Sequence, residues 1–261
     1  MTGSEVERLE EMAFAAWPAE HVEEHHGWRL RWLEGITRRG NSVWTGRTDG
    51  APPLAERIQH AEAFYAARAA TASFHLSPLA PPGLDAVLEQ RGYVVDAPVS
   101  VQTAPLGRVL AAASAAFEVR VSRVLDAEWF ELAGAKSRFA AAQATYRALL
   151  ERIGARACYA LASSAGRPVG TSLGVLDGAW LGVSSMLTQP EFRGRGVAGA
   201  LLRGLCEAAR DQGAAYSYLQ VEQDNTAALR AYTRAGFETA YATHYRAAPS
   251  LQAQVPALRS I

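Results

Sequence analysis

The stretch R193-G-R-G-V-A-G199 sets two arginines between glycines just ahead of an apolar run. Val197, Leu201, Leu202, Leu205, Ala208 and Ala209 recur at helical spacing, so the glycines fall on a first helical turn. The first N–H groups of a helix lack internal acceptors and carry the positive end of its dipole. An anion there is held by amides, and glycine permits close approach because it has no Cβ. Ala198 is the next-smallest residue, at a third close-approach position. A diphosphate suits such a cradle; a simple loop would also use these glycines. An RNA-binding arginine–glycine repeat does not fit a segment that opens an apolar helix. The missing Gly-Lys-Ser/Thr excludes a Walker loop, and the glycine spacing excludes a dinucleotide fingerprint.

The second stretch is L219-Q-V-E-Q-D-N-T-A-A-L-R-A-Y-T-R-A-G-F237. A strand ends near Glu222, and Asp224 or Asn225 can cap the helix that follows. Gly236 closes that helix and Phe237 supplies the apolar contact after it. Asn225 and Tyr232 are seven residues apart, nearly on one helix face, so an amide and a phenol can meet one cleft. By itself Tyr232 also reads as a packing tyrosine.

These motifs need elements to hold them. In the second half, a strand over 118–124 leads to helices around 126–134 and 137–153. Strands follow at 156–163, 168–176 and 179–188, then a helix over 195–212, a strand over 216–222, a helix over 226–235 and a strand over 237–246. The first half predicts a helix over 4–16, strands over 27–35 and 36–44, a helix over 54–69 and a strand over 73–77. A helix over 84–91 and a strand over 94–103 complete it. Residues 104–117 read as an alanine-rich connection, and 248–261 as an aperiodic tail. Strands interleaved with helices indicate a layered α/β (α+β) fold.

Composition narrows the function classes. Basic and acidic residues number 26 each, so no overall field draws the chain to nucleic acid or to an anionic membrane. No apolar run reaches the roughly 18 residues of a membrane span, and the acidic N-terminus is unlike a signal peptide. A cytoplasmic location is expected. Two cysteines, Cys158 and Cys206, make no disulfide framework and are expected as buried free thiols. H21-V-E-E-H25 fits the inverted zincin pattern, but Pro18 and Gly27 leave too little helix for it. It reads as a surface charge cluster before a strand, and no metal is expected.

Together the two motifs resemble the GCN5-related N-acetyltransferase (GNAT) superfamily. Arg193-x-x-Gly196-x-Ala198 matches its pyrophosphate motif, and Asn225, Tyr232 and Gly236-Phe237 match its second signature. The strand ending Met186-Leu187-Thr188-Gln189-Pro190 matches as well. The resemblance covers residues 118–247. It implies a mixed, mostly antiparallel sheet splayed into a V, flanked by helices, with acetyl-CoA as co-substrate in the opening. It also implies that the backbone of Met186, Leu187 and Thr188 holds the pantetheine arm. The amides of Gly194, Arg195, Gly196, Val197, Ala198 and Gly199 would hold the diphosphate, Asn225 would touch the cofactor arm, and Tyr232 would protonate the departing thiolate. In the ribosomal-protein branch a glutamate on the preceding strand is the base; here Gln220 stands at that position, and an amide takes no proton. Glu222, two residues on and on the same strand face, is the substitute; otherwise it is a solvated strand-end charge with water as proton carrier.

Sliding the chain by 144 positions lays Gly92-Tyr93 over Gly236-Phe237 and repeats the order of elements. Residues 1–110 therefore read as a shortened, degenerate copy of the catalytic domain at 118–247, resembling tandem members of the superfamily. The functional positions do not repeat: Asp49, Pro52, Pro81 and Leu88 stand where Arg193, Gly196, Asn225 and Tyr232 do. Aspartate repels phosphate and proline has no N–H, so no CoA site is expected there. G27-W-R-L-R-W32 and T37-R-R-G-N-S-V-W44 either shape a substrate cleft or are ordinary strands with solvated arginines. The expected activity is acetyl transfer to a primary amine of a small molecule, amino acid or peptide N-terminus, by a monomer or homodimer. The alternative is a non-catalytic acyl-CoA-binding sensor.

Overall fold

The computed structural model describes residues 2–46, 51–113, 116–135 and 137–248. Eleven strands form a single sheet in the order β1-β2-β3-β4-β11-β5-β10-β9-β8-β7-β6. The first half supplies β1 (His21–His25), β2 (Trp28–Trp32), β3 (Val43–Thr45), β4 (Ser73–Leu76) and β5 (Val94–Pro105). The second supplies β6 (Glu118–Ser122), β7 (Ala157–Ser164), β8 (Arg167–Asp177), β9 (Trp180–Thr188), β10 (Tyr216–Glu222) and β11 (Glu238–Ala247). Two neighbouring pairs, β3 with β4 and β9 with β10, run parallel, and every other pair is antiparallel.

At the centre the halves exchange strands. β11 lies between β4 and β5, while β5 lies between β11 and β10. The register there obeys the 144-residue shift. Val94 faces Ala247 as Thr103 faces Glu238, and Val95 faces Arg246 as Gln102 faces Thr239. Arg246 on β11 is anchored back in the first half: its Nε and Nη2 donate to Asp85 at 2.8 and 3.1 Å, and its Nη1 to the Tyr93 carbonyl.

The helices follow the periodicity. α1 (Gly3–Ala15) starts at a Thr2–Glu5 capping box. α2 (Leu54–Ala66) and α3 (Leu84–Gln90) cover the first-half strands around Trp28, Ile58, Phe74 and Leu88. α7 (Val197–Arg210) lays Val197, Leu201, Leu202 and Leu205 onto the second-half core. Gly170 and Gly174 on β8 make room for it: a Cβ there would meet Val197 at 2.6 Å and Leu205 at 2.9 Å.

Three expectations need correction. Residues 36–42 are turns, and the strand there, β3, covers only Val43–Thr45. Asn41 builds this loop: its Oδ1 accepts from the Leu33 and Gly35 N–H groups, and its Nδ2 donates to the Leu33 and Thr37 carbonyls. The alanine-rich connection contains a helix, α4 (Leu106–Ala112), because Leu106 and Val109 are buried in the core. His21–His25 is not merely a cluster ahead of a strand but is itself a strand, paired with β2. α5 (Ala127–Phe130), a π-type turn over Glu131–Ala135 and α6 (Gln143–Ile153) follow β6, and α8 (Thr226–Arg234) precedes β11. Both cysteines are buried and unbridged.

Candidate active site

β9 and β10 pair only from Trp180–Val183 to Tyr216–Leu219. Beyond that point β10 keeps β5 on its other edge, whereas β9 bends away. The bend has a local cause. Leu173 faces Ser184 but Thr171 faces Leu187, so Ser185 and Met186 bulge, with Ser185 at φ 49°. The sheet opens between Ser184–Thr188 and Gln220–Glu222, and among the described residues no strand pairs with Met186, Leu187 and Thr188 on that side.

After β9, one short turn at Pro190–Phe192 leads to the glycines. Gly194 and Gly196 take φ of 74° and 92°, a left-handed conformation in which glycine carries no steric cost. Gly196 is the N-cap of α7. The N–H groups of Gly194, Gly196, Val197, Ala198 and Gly199 donate to no acceptor among the described residues, while the Arg195 N–H reaches the Phe192 carbonyl. Arg193 and Arg195 are exposed beside them. Free amides, helix dipole and two guanidinium groups suit an anion such as the diphosphate of acetyl-CoA.

α8 holds the second constellation. Asn225 is its N-cap, with Oδ1 accepting from the Ala228 N–H at 3.1 Å. The helix ends at Gly236 (φ 91°), where the Phe237 N–H turns back to the Tyr232 carbonyl. The Phe237 ring meets the Tyr232 ring edge-on at 6.0 Å, which fixes the phenol. Tyr232 thus packs in the core and also lines the cleft with Met186, Leu187 and Gln220. Burial pushes its hydroxyl up to about 12, so it carries its proton throughout the neutral range.

The other wall of the cleft comes from elsewhere in the chain. Trp17, Thr37, Arg38 and Arg39 belong to the first half, and Ser137, Arg138 and Phe139 to the segment before α6. Trp17 is tied in by donating its indole N–H to Thr37 Oγ1 at 2.9 Å. Glu222 is not on this surface. It lines an adjoining cavity with Arg38, Arg39 and Gln220, and Arg38 Nη1 donates to its Oε1 at 3.2 Å. Arg38 Nε also pairs with Asp96 at 2.8 Å. Thr37, Arg38 and Arg39 line this cleft, and with Arg38 buried and Arg39 half-buried these are not solvated strand arginines. Sequence reasoning missed Trp17, Arg138 and Phe139, which carry no motif and are brought in by packing.

The zincin-like residues lie away from this cleft. On a strand, Glu23 and His25 share one face and meet His60 of α2, with His60 Nε2 and Glu23 Oε1 at 2.5 Å. The His25 and His60 rings stack in parallel at 3.7 Å, so their nitrogen lone pairs do not converge on one point. In the first half, Asp49 lies outside the described residues. Pro53 caps α2, Pro81 precedes α3 and Leu88 is fully buried. The tail beyond Ala248 also lies outside the described residues, in which no helix is long and apolar enough to cross a membrane.

The profile of the acetyltransferase (GNAT) family matches residues 122–237, which span the splayed strands, the glycine turn and the Tyr232 helix. Over 251 residues the chain is 29% identical to an uncharacterized N-acetyltransferase, YobR, of Bacillus subtilis, covering 93% of this chain and 98% of that one. A GCN5-related N-acetyltransferase from Kribbella flavida superposes with a TM-score of 0.68 at 17% identity, over 94% of this chain and 95% of that one. A tandem GNAT protein from the clavulanic acid biosynthesis pathway superposes at 0.60 with 14% identity, over 88% and 85%. The family's domain is thus matched at residues 122–237, and along nearly its whole length the chain is similar in fold to GCN5-related N-acetyltransferases.

Proposed function

We propose that the protein transfers an acetyl group from acetyl-CoA to a primary amine of a small molecule, amino acid or peptide N-terminus. The observation that carries this reading is the row of unpartnered N–H groups at Gly194 and Gly196–Gly199, directly after the splayed strand. When bound, acetyl-CoA supplies an activated acetyl group, whose C–S bond breaks as the C–N bond to the amine forms.

The chain's own residues then have distinct tasks. Amides of the glycine turn bind the diphosphate, with Arg193 and Arg195 adding charge. The open backbone of Met186–Thr188 holds the pantetheine arm, and Asn225, whose Oδ1 caps α8, offers its amide N–H groups to that arm. Tyr232 keeps a proton at its hydroxyl for the departing sulfur. Glu222 accepts the proton that the amine must lose, across the cavity it shares with Arg39 and Gln220.

We read residues 1–110 as a shortened second copy of the fold that binds no CoA and walls the acceptor cleft. The symmetric register between β5 and β11 supports this.

Incubation with acetyl-CoA and a panel of amines, followed by thiol release and mass spectrometry of the acceptors, tests the activity. Release of CoA together with an acetylated amine is the expected result. CoA binding without turnover of any amine would overturn it in favour of a sensor.

A further inference from the structure

The cleft beside Tyr232 is unbalanced in charge. Arg38, Arg39 and Arg138 line it, and among the described residues no acidic side chain does. Arg38 is accounted for by Asp96 and Glu222. Arg39 is different: no carboxylate lies within ion-pair distance of it among the described residues. Its guanidinium rests 5.4 Å from the centre of the Trp17 ring, and the side chain is half-buried. With Gln220 it lines the main cleft and three smaller cavities. Burial pulls the Arg138 guanidinium, which lines the same cleft, below its usual range.

A half-buried guanidinium without a counter-charge on the floor of a reaction cleft points to a charge supplied by the ligand. We propose that the acceptor amine carries an anionic group, a carboxylate or a phosphate, that docks on Arg39 with its amino group directed toward Tyr232. This rests on the transferase reading above. The same positive field also assists the chemistry. It disfavours the ammonium form of a bound amine, and only the neutral amine can attack. It repels polycations. The Trp17 and Phe139 rings leave an apolar wall for the rest of the acceptor.

The test compares matched acceptors that differ in the anion alone: phenylalanine against phenylalaninamide, and phosphoethanolamine against ethanolamine, with spermidine as a polycation. The expected result is a kcat/KM at least about tenfold higher for the anionic member of one pair, and the pair that shows it tells carboxylate from phosphate. In Arg39→Gln that ratio should collapse towards one, mainly through KM, and Arg39→Lys should restore part of it. Calorimetry with CoA and thermal melting check that the variants still bind cofactor and fold. Equal turnover of charged and neutral partners, or a ratio unchanged in Arg39→Gln, overturns the anion site and leaves the transferase standing. If no amine is acetylated but phenylalanine or phosphoethanolamine binds the CoA-loaded protein in an Arg39-dependent way, the transferase reading fails and the anion site stands. Neither turnover nor binding would sink both.

Discussion

Arg38 and Glu222 are 184 residues apart, and the arginine donates to the carboxylate at 3.2 Å with both side chains more than nine-tenths buried. The contact joins the Asn41-built loop of the first half to the end of β10, where the sheet splays. It also holds Glu222 in the cavity that adjoins the Tyr232 cleft. Removing the cation leaves Glu222 and Asp96 without it. Arg38→Ala should therefore destabilise the protein by about 3–5 kcal/mol, the usual cost of breaking a buried pair from one side. Urea unfolding measures this, and a loss within experimental error would mean that the two carboxylates find other partners.

The glycine turn can be tested without an acceptor. Gly196→Asp places a carboxylate at the proposed diphosphate site and a side chain at φ 92°. CoA affinity should fall by well over tenfold, a loss above about 1.4 kcal/mol, while melting stays cooperative. Unchanged affinity by calorimetry would remove the diphosphate from this turn.

Tyr232→Phe keeps the ring that packs on Phe237 and removes only the hydroxyl. If that hydroxyl protonates the leaving sulfur, kcat should drop by roughly 10²-fold or more, with CoA affinity nearly constant. The pH dependence has a definite sign. An acid must hold its proton, so activity survives below its pKa and is lost above. With the phenol pushed up to about 12, no alkaline loss from Tyr232 should appear between pH 7 and 10. A wild-type profile that falls in that window, and a Phe variant that does not, would contradict the assignment.

The first half should bind no nucleotide. In the proposed repeat α2 takes the place of α7, yet it begins after Pro52 and Pro53, neither of which has an N–H to offer. Calorimetric titration of the intact chain should give one CoA per protein. A stoichiometry of two would show a working second site.

Asp85 ties α3 to β11 through Arg246 and His244. The hydrogen bond from Arg246, chiefly, holds its carboxyl down at about 2. A depressed folded value means stability present above the ordinary aspartate range and lost as pH falls through about 2. Half-exposed as Asp85 is, the effect is modest. Between pH 5 and 2 the wild type should lose more stability than Asp85→Asn does; identical acid profiles would show that the pair does not clamp β11.

Local chemistry was legible in the sequence. The α7 start, the Asn225 cap and the Gly236 stop depend on residues within one or two turns, so composition and spacing fixed them. The order of elements at a 144-residue shift was legible in the same way. The exchange of β5 and β11 was not legible, because backbone hydrogen bonds do not record which distant strand they join, and every sheet edge is chemically alike. The loop at 36–42 reads as the start of a strand, and the hydrogen bonds of Asn41, with the Gly40 N–H to Thr37 Oγ1, turn it aside. The fates of Arg38 and Arg39 were decided at the same level. In the sequence they are two adjacent cations. Packing of the halves buries one between Asp96 and Glu222 and leaves the other facing the cleft, because charge pairing depends on distance in space and not along the chain.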